Sequence, residues 1–210
     1  MDFGSIDPLL LLASLMVAAT PIMLAAIGEL VVERSGVLNL GVEGMMITGS
    51  IVGFIAAIST GSPWLGFLCA ALGGAAMAFI FGILTQFFLS NQVATGLALT
   101  LFGLGLASLL GQGYLGVKAP SVPDWHIPLL GDILIIGPIV FQHDPIVYLG
   151  LGIIAGVWWF LKKTRAGLVL RAVGENHEAA HALGYRVVRT RLLAIMFGGA
   201  CAGLGGAYLS

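Results

Sequence analysis

Long apolar runs separated by short polar links dominate the chain. A helix crosses hydrocarbon about 30 Å thick with about 20 apolar residues. Six runs reach or approach that length: Pro8 to Gly28, Glu43 to Ser59, Trp64 to Leu89, Gln92 to Gln112, Pro145 to Leu161 and Leu192 to Ser210. Apolar positions within them are continuous rather than alternating, which excludes a β-barrel. The pattern therefore predicts an all-α, polytopic transmembrane helical bundle of about six spans. Pro21 interrupts the first run, and a kink there is tolerated where neighbours satisfy the freed carbonyl. Residues 113–144 hold Pro120, Pro123, Pro128 and Pro138, so no regular helix is expected; Val122 to Pro128 is read as an irregular surface.

Composition agrees. Hydrophobic residues make up 59% of the chain and charged ones 9%, against about 25% charged in an ordinary soluble domain. With a mean hydropathy of +1.04, the chain is read as an integral membrane protein. Its 31 glycines suit close helix approach in lipid. Cys69 and Cys201 both sit inside apolar runs and are read as small buried hydrophobes. His126, His143, His177 and His181 show no metal-ligand spacing. A net charge of −1 without an aromatic-interleaved basic patch argues against nucleic-acid binding. Met1 to Ser5 lacks the basic segment of a cleavable signal, so the first run is expected to act as an uncleaved anchor.

Charge placement adds an orientation. Seven of the nine basic residues lie within residues 162–191, namely Lys162, Lys163, Arg165, Arg171, Arg186, Arg189 and Arg191. Basic residues of short loops stay on the cytoplasmic side, so this loop is expected there. Counting back places residues 113–144 outside, Ser90-Asn91 inside, Thr60 to Pro63 outside, residues 29–42 inside and the N-terminus outside. Within the basic loop, Asn176 can cap a short helix starting at His177, with Glu178 near its positive end. Gly184 can end it. Ala179, Ala180 and Leu183 would form a small apolar face, suited to the groove of a soluble partner.

Two further segments carry polar groups near membrane depth. The link from Glu29 to Gly44 holds Glu29, Glu33, Arg34 and Glu43 among apolar residues, and Gly36, Gly41 and Gly44 permit a broken helix or tight turn. It is either a solvated turn or an element of a solute path, with Asn39 and Glu43 as the participants. Irregular backbone at such depth is tolerated only against protein or water. Asn91, Gln92 and Thr95 open the fourth run without a charge and either cap the helix or hydrogen-bond a neutral polar solute. Gln86 and Thr100 are read as interhelical glue. No phosphate-binding Gly-x-x-x-x-Gly-Lys-[Ser/Thr] loop, Gly-x-Ser-x-Gly elbow or His-Glu-x-x-His motif occurs. No enzyme activity and no cofactor are expected on this chain.

Four stretches carry a resemblance. They are Glu33 to Met46, Asn91 to Thr100, Thr164-Arg165-Ala166-Gly167 continuing to Arg171–Asn176 and Ala179-Ala180, and Gly198 to Gly206. They resemble the permease subunits of ATP-binding-cassette importers related to ribose and branched-chain amino-acid permeases, most closely the simple-sugar and nucleoside type. The resemblance implies that Gly174, Glu175, Asn176, Ala179, Ala180 and Gly184 belong to a coupling helix that docks into a cytoplasmic ATPase subunit holding the ATP. It also implies a second permease subunit, an extracytoplasmic solute-binding protein and a bacterial plasma-membrane location. The solute would be neutral and polar, with Asn39, Glu43, Asn91, Gln92 and Thr95 as candidates for the path. His177 stands where proline is frequent in the family and Tyr185 where a smaller aliphatic is frequent. Such permeases usually continue for several helices beyond the glycine-rich sixth run, so the chain is expected to be incomplete at Ser210. The alternatives are a secondary transporter or channel, a branched-chain amino-acid permease of the same superfamily, or a membrane scaffold.

Overall fold

A computed structural model describes residues 8–120 and 144–210. Eight α-helices follow one another there: α1 Pro8–Arg34, α2 Val42–Thr60, α3 Pro63–Gln86, α4 Gln92–Gly111, α5 Pro145–Lys163, α6 Arg165–Glu175, α7 His177–Ala182 and α8 Val187–Leu209. Six of them, α1 to α5 and α8, are long and apolar enough to cross a membrane. The chain is a multi-pass, all-α membrane protein, as the hydropathy pattern predicts. The surface expected around Val122 to Pro128, and the first residues of the chain, lie outside the described residues.

Helix limits follow local chemistry. Pro63 starts α3, where its missing N–H costs nothing. Gly61, left-handed at φ +68, stops α2. The third helix ends at Gln86, short of the expected Leu89, because the chain turns there with Leu89 itself at φ +52. The first helix runs past Gly28 to Arg34, since nothing in Leu30-Val31-Val32 interrupts it. The last begins at Val187 rather than Leu192, which puts Arg189 and Arg191 on a helix instead of in a loop. Sequence reading missed α6 altogether. Thr164 as a cap, followed by Gly167, Leu170 and Val173 at helical spacing, was the signal for it.

Helix α8 occupies the centre and packs on α1, α2 and α3. Small residues allow this: a Cβ on Gly203 would fall on the Ala70 carbonyl of α3, and one on Gly28 would lie 2.8 Å from Cys201 Cβ. Close backbone approach of this kind is how helices gain dispersion contact in lipid. Val32, Val37, Met45, Met77, Phe81 and Ile195 fill the space around the seam. Val31, Val157, Leu161, Leu170 and Ala194 form a second cluster that seats α6 against α1, α5 and α8. Helix α4 is more loosely held, resting mainly on α2.

Candidate functional site

One end of the bundle carries the charged helices. Thr164 serves two elements at once: its N–H closes α5 on the Phe160 carbonyl at 3.3 Å, and its Oγ1 caps α6 by accepting from Gly167 N at 3.0 Å. Helix α6 turns Gly167, Leu170 and Val173 inward and leaves Arg165 and Arg171 exposed. Trp158 and Lys162 mark where α5 leaves the apolar layer, with Lys162 Nζ 5.7 Å from the Trp158 ring, a cation–π distance.

Asn176 repeats the double use made of Thr164. Its N–H bonds the Ala172 carbonyl at 3.0 Å to finish α6, and its Oδ1 accepts from Ala179 N at 3.0 Å to start α7. Gly184, left-handed at φ +85, ends α7: its N–H bonds His181 O at 2.9 Å while Tyr185 N bonds Ala180 O at 3.1 Å. Those paired bonds are a Schellman motif. The expected three-residue apolar face changes in one member. Ala180 is turned inward at 3% exposure, so Ala179 and Leu183, the latter 77% exposed, are what an incoming surface can meet. Glu175 is exposed at the end of α6. Gly174 meets a neighbour directly, since a side chain there would collide with the Arg34 carbonyl.

The segment between α1 and α2 is not helical, and its residues alternate between buried (Ser35, Val37, Asn39, Gly41) and exposed (Gly36, Leu38, Leu40). Ser35 is buried at its start, with Oγ donating to Val32 O at 2.6 Å, and Gly36 turns the chain at φ +81. The chain then climbs back along α1 until Asn39 lies level with Glu29. Those six residues of helix span about 9 Å, so this is a re-entrant segment laid against the bundle, with Val37 and Asn39 buried and Leu38 and Leu40 exposed. Three of its backbone donors are satisfied by side chains. Asn39 N donates to Glu29 Oε1 at 3.2 Å, Leu38 N to Gln92 Oε1 at 2.8 Å, and Gly41 N to Asn39 Oδ1 at 3.0 Å. Asn39 Nδ2 also donates to Glu29 Oε2 at 3.2 Å. At the top, a Cβ on Gly96 of α4 would stand 2.8 Å from Gly41 N.

The five residues expected along a solute path thus have separate placements. Asn39, 3% exposed, and Gln92 hold the re-entrant backbone. Asn91 caps α4, its Oδ1 accepting from Ala94 N at 3.1 Å, and Thr95 Oγ1 lies 2.9 Å from Ser90 Oγ. Glu43 lines a cleft of about 550 Å³ with Met46, Ser50, Phe54, Ala107 and Gly206, between α2, α4 and α8. Ser50 is a lining group that sequence reading missed; it stands two turns along α2 from Glu43, a spacing that could have flagged it. No group of three or more metal-ligating side chains occurs among the described residues.

Comparison with known proteins gives this arrangement its context. Residues 11–210 match the family model described as branched-chain amino acid transport system / permease component. The chain belongs to that permease family. Among its relatives, the putative glucose ABC transporter permease protein TsgC13 of Haloferax volcanii is 42% identical over 197 residues, covering 92% of this chain and 60% of that protein. The guanosine ABC transporter permease protein NupQ of Bacillus subtilis is 33% identical over 220 residues, covering 98% of this chain and 68% of that protein. The nucleoside ABC transporter permease protein NupC of Lactococcus lactis is 31% identical over 210 residues, with 94% and 66% covered. The chain thus spans about two-thirds of the length of these permeases or somewhat less. No solved structure matches it. The α6–α7 pair and the re-entrant segment both place polar groups at one end of the apolar bundle, where Gly36 meets Gly174.

Proposed function

We propose that the chain is the membrane-spanning permease part of an ATP-driven importer for a neutral polar solute, a nucleoside or simple sugar. ATP is hydrolysed on a separate cytoplasmic ATPase subunit, and α7 is the helix that docks into it. The observation that carries this reading is a six-residue helix closed by caps at both ends, presenting Ala179 and Leu183 to the outside beside exposed Arg186 and Arg189. A helix held by Asn176 and Gly184 keeps its shape without burying its outer face, which is what a groove-filling ligand requires. Relatives named for glucose, guanosine and nucleoside transport support the solute class. Residues 162–191 face the cytoplasm and the N-terminus lies outside, in the plasma membrane of a bacterium. A second permease subunit and an extracytoplasmic solute-binding protein complete the importer.

The test uses exposed positions only, because Ala180 is buried. Ala179→Glu and Leu183→Glu each place a charge in the proposed contact and are expected to lower co-purification of the ATPase subunit roughly tenfold. Unchanged association and unchanged ATP turnover in both variants would overturn the docking assignment.

A further inference from the structure

The re-entrant segment touches four helices, α1, α4, α6 and α8. Its foot lies against the base of the α6–α7 pair: a Cβ on Gly36 would stand 3.0 Å from Gly174 Cα and 3.2 Å from an Arg191 guanidinium nitrogen. Arg191 Nε of α8 donates to the Ser35 carbonyl at 3.1 Å. Its middle is clasped to α1 through Glu29 and Asn39, and its upper part is joined to the first turn of α4 by Gln92. Gly174 is two residues before Asn176, the cap on which α7 is built.

Two physical properties make this a connection rather than a coincidence of neighbours. The closest approaches at both ends include backbone on backbone, Gly36 on Gly174 and Gly41 on Gly96, and the side chains that join them, Arg191 at the foot and Gln92 at the top, are each held by a hydrogen bond to the segment's backbone. The element at the far end, α4, is also the span with the fewest buried positions, the share of its apolar window inside the bundle being 17% against 50% for α8. A push on the foot therefore meets a fixed centre and a movable edge. That edge contributes Ala107 to the cleft lined by Glu43 and Ser50.

We infer that residues 35–41 act as a strut that carries displacement of the α6–α7 pair to α4, with Gln92 as the positioning residue at the receiving end. The inference rests on the docking role proposed for α7. It assigns the buried Asn39 and its half-buried partners Glu29 and Gln92 to transmission, outside the solute path. Moving α4 against α2 changes the width of the Glu43–Ser50 cleft, so the same step opens or closes the space that a solute would use.

The experiment is a spin-label distance measurement on the assembled importer. One nitroxide is placed at Phe102 on α4 and one at Leu151 on α5, both exposed, in a Cys69→Ser background. The distance is compared without nucleotide and with the ATPase trapped by ADP and vanadate. A nucleotide-dependent shift is expected in the parent protein. Gly36→Ala and Gln92→Leu are each expected to reduce it by half or more, while the ATPase subunit still co-purifies with the Gly36→Ala protein and keeps its basal ATP turnover. Gln92→Glu, which retains the acceptor for Leu38 N–H, is expected to restore the shift. A full shift in both variants, or no shift in the parent, would overturn the strut. Retained association in Ala179→Glu and Leu183→Glu would instead overturn the docking role, an outcome read on a different variant and a different assay.

Discussion

Two connections at the basic end of the bundle solve the same backbone problem in opposite ways. Both link spanning helices and both leave helix termini with unpaired N–H and C=O groups. The link from α5 to α8 satisfies them locally: Thr164, Asn176 and Gly184 each lie within a few residues of the groups they serve. The link from α1 to α2 adds to its local bonds others made at a distance. Leu38 N is served by Gln92, fifty-four positions away in sequence, and Ser35 O by Arg191, 156 positions away. A locally capped element can be displaced as a unit without losing its shape, whereas one held from four helices moves only if they do. The first suits a docking piece and the second suits a strut.

The comparison can be broken most forcefully at Glu29. Glu29→Ala leaves Asn39 N–H and its amide without their acceptors in a buried place, at a cost of about 2 kcal/mol. A clear fall in the thermal unfolding midpoint of the purified protein is expected, with Glu29→Gln recovering part of it because one acceptor remains. An unchanged midpoint for Glu29→Ala would mean that the segment is held by packing alone.

Asn176→Ala probes the local side of the contrast with a smaller effect. Loss of one N-cap costs about 1 kcal/mol and is expected to speed amide exchange at Ala179 and Ala180 about fivefold. Exchange at Leu38 and Asn39 should stay as it was. Acceleration at those two positions as well would show that the two connections are a single cooperative unit.

The smallest effect is expected from the double variant Arg186→Ala with Arg189→Ala. Both residues are exposed, so stability should change by less than about 0.5 kcal/mol. Their removal should matter only to partner association, measured by how much ATPase subunit co-purifies.

The same contrast explains what the sequence could and could not disclose. Helix α7 was legible because its start and stop are written next to it, Asn176 before and Gly184 after. The spans were legible because length and hydropathy are local quantities; their ends shifted by a few residues where charged positions such as Glu29, Glu33 and Arg189 extend helices beyond the apolar run. The re-entrant segment was legible only as an open choice. Its glycines permit a turn, but the pairing of Asn39 with Glu29 depends on the link folding back along α1, which no local pattern encodes. Gln92 was hidden for the same reason. An amide at the head of a helix reads as a cap, yet Asn91 takes that task and Gln92 reaches across to Leu38. Ala180 shows the limit in the other direction: a helix two turns long has an inside and an outside, and only the packed structure assigns them.

Contact between α7 and the ATPase subunit is the claim on which the rest stands, and photo-crosslinking from its outer face tests it most directly. A photoreactive amino acid is placed at Leu183 in the assembled importer, with a second protein labelled at Leu72, an exposed position within the α3 span, as the comparison. The expected result is a covalent adduct to the ATPase subunit from Leu183 and none from Leu72. Absence of the adduct from Leu183 in an importer that still hydrolyses ATP would contradict the account.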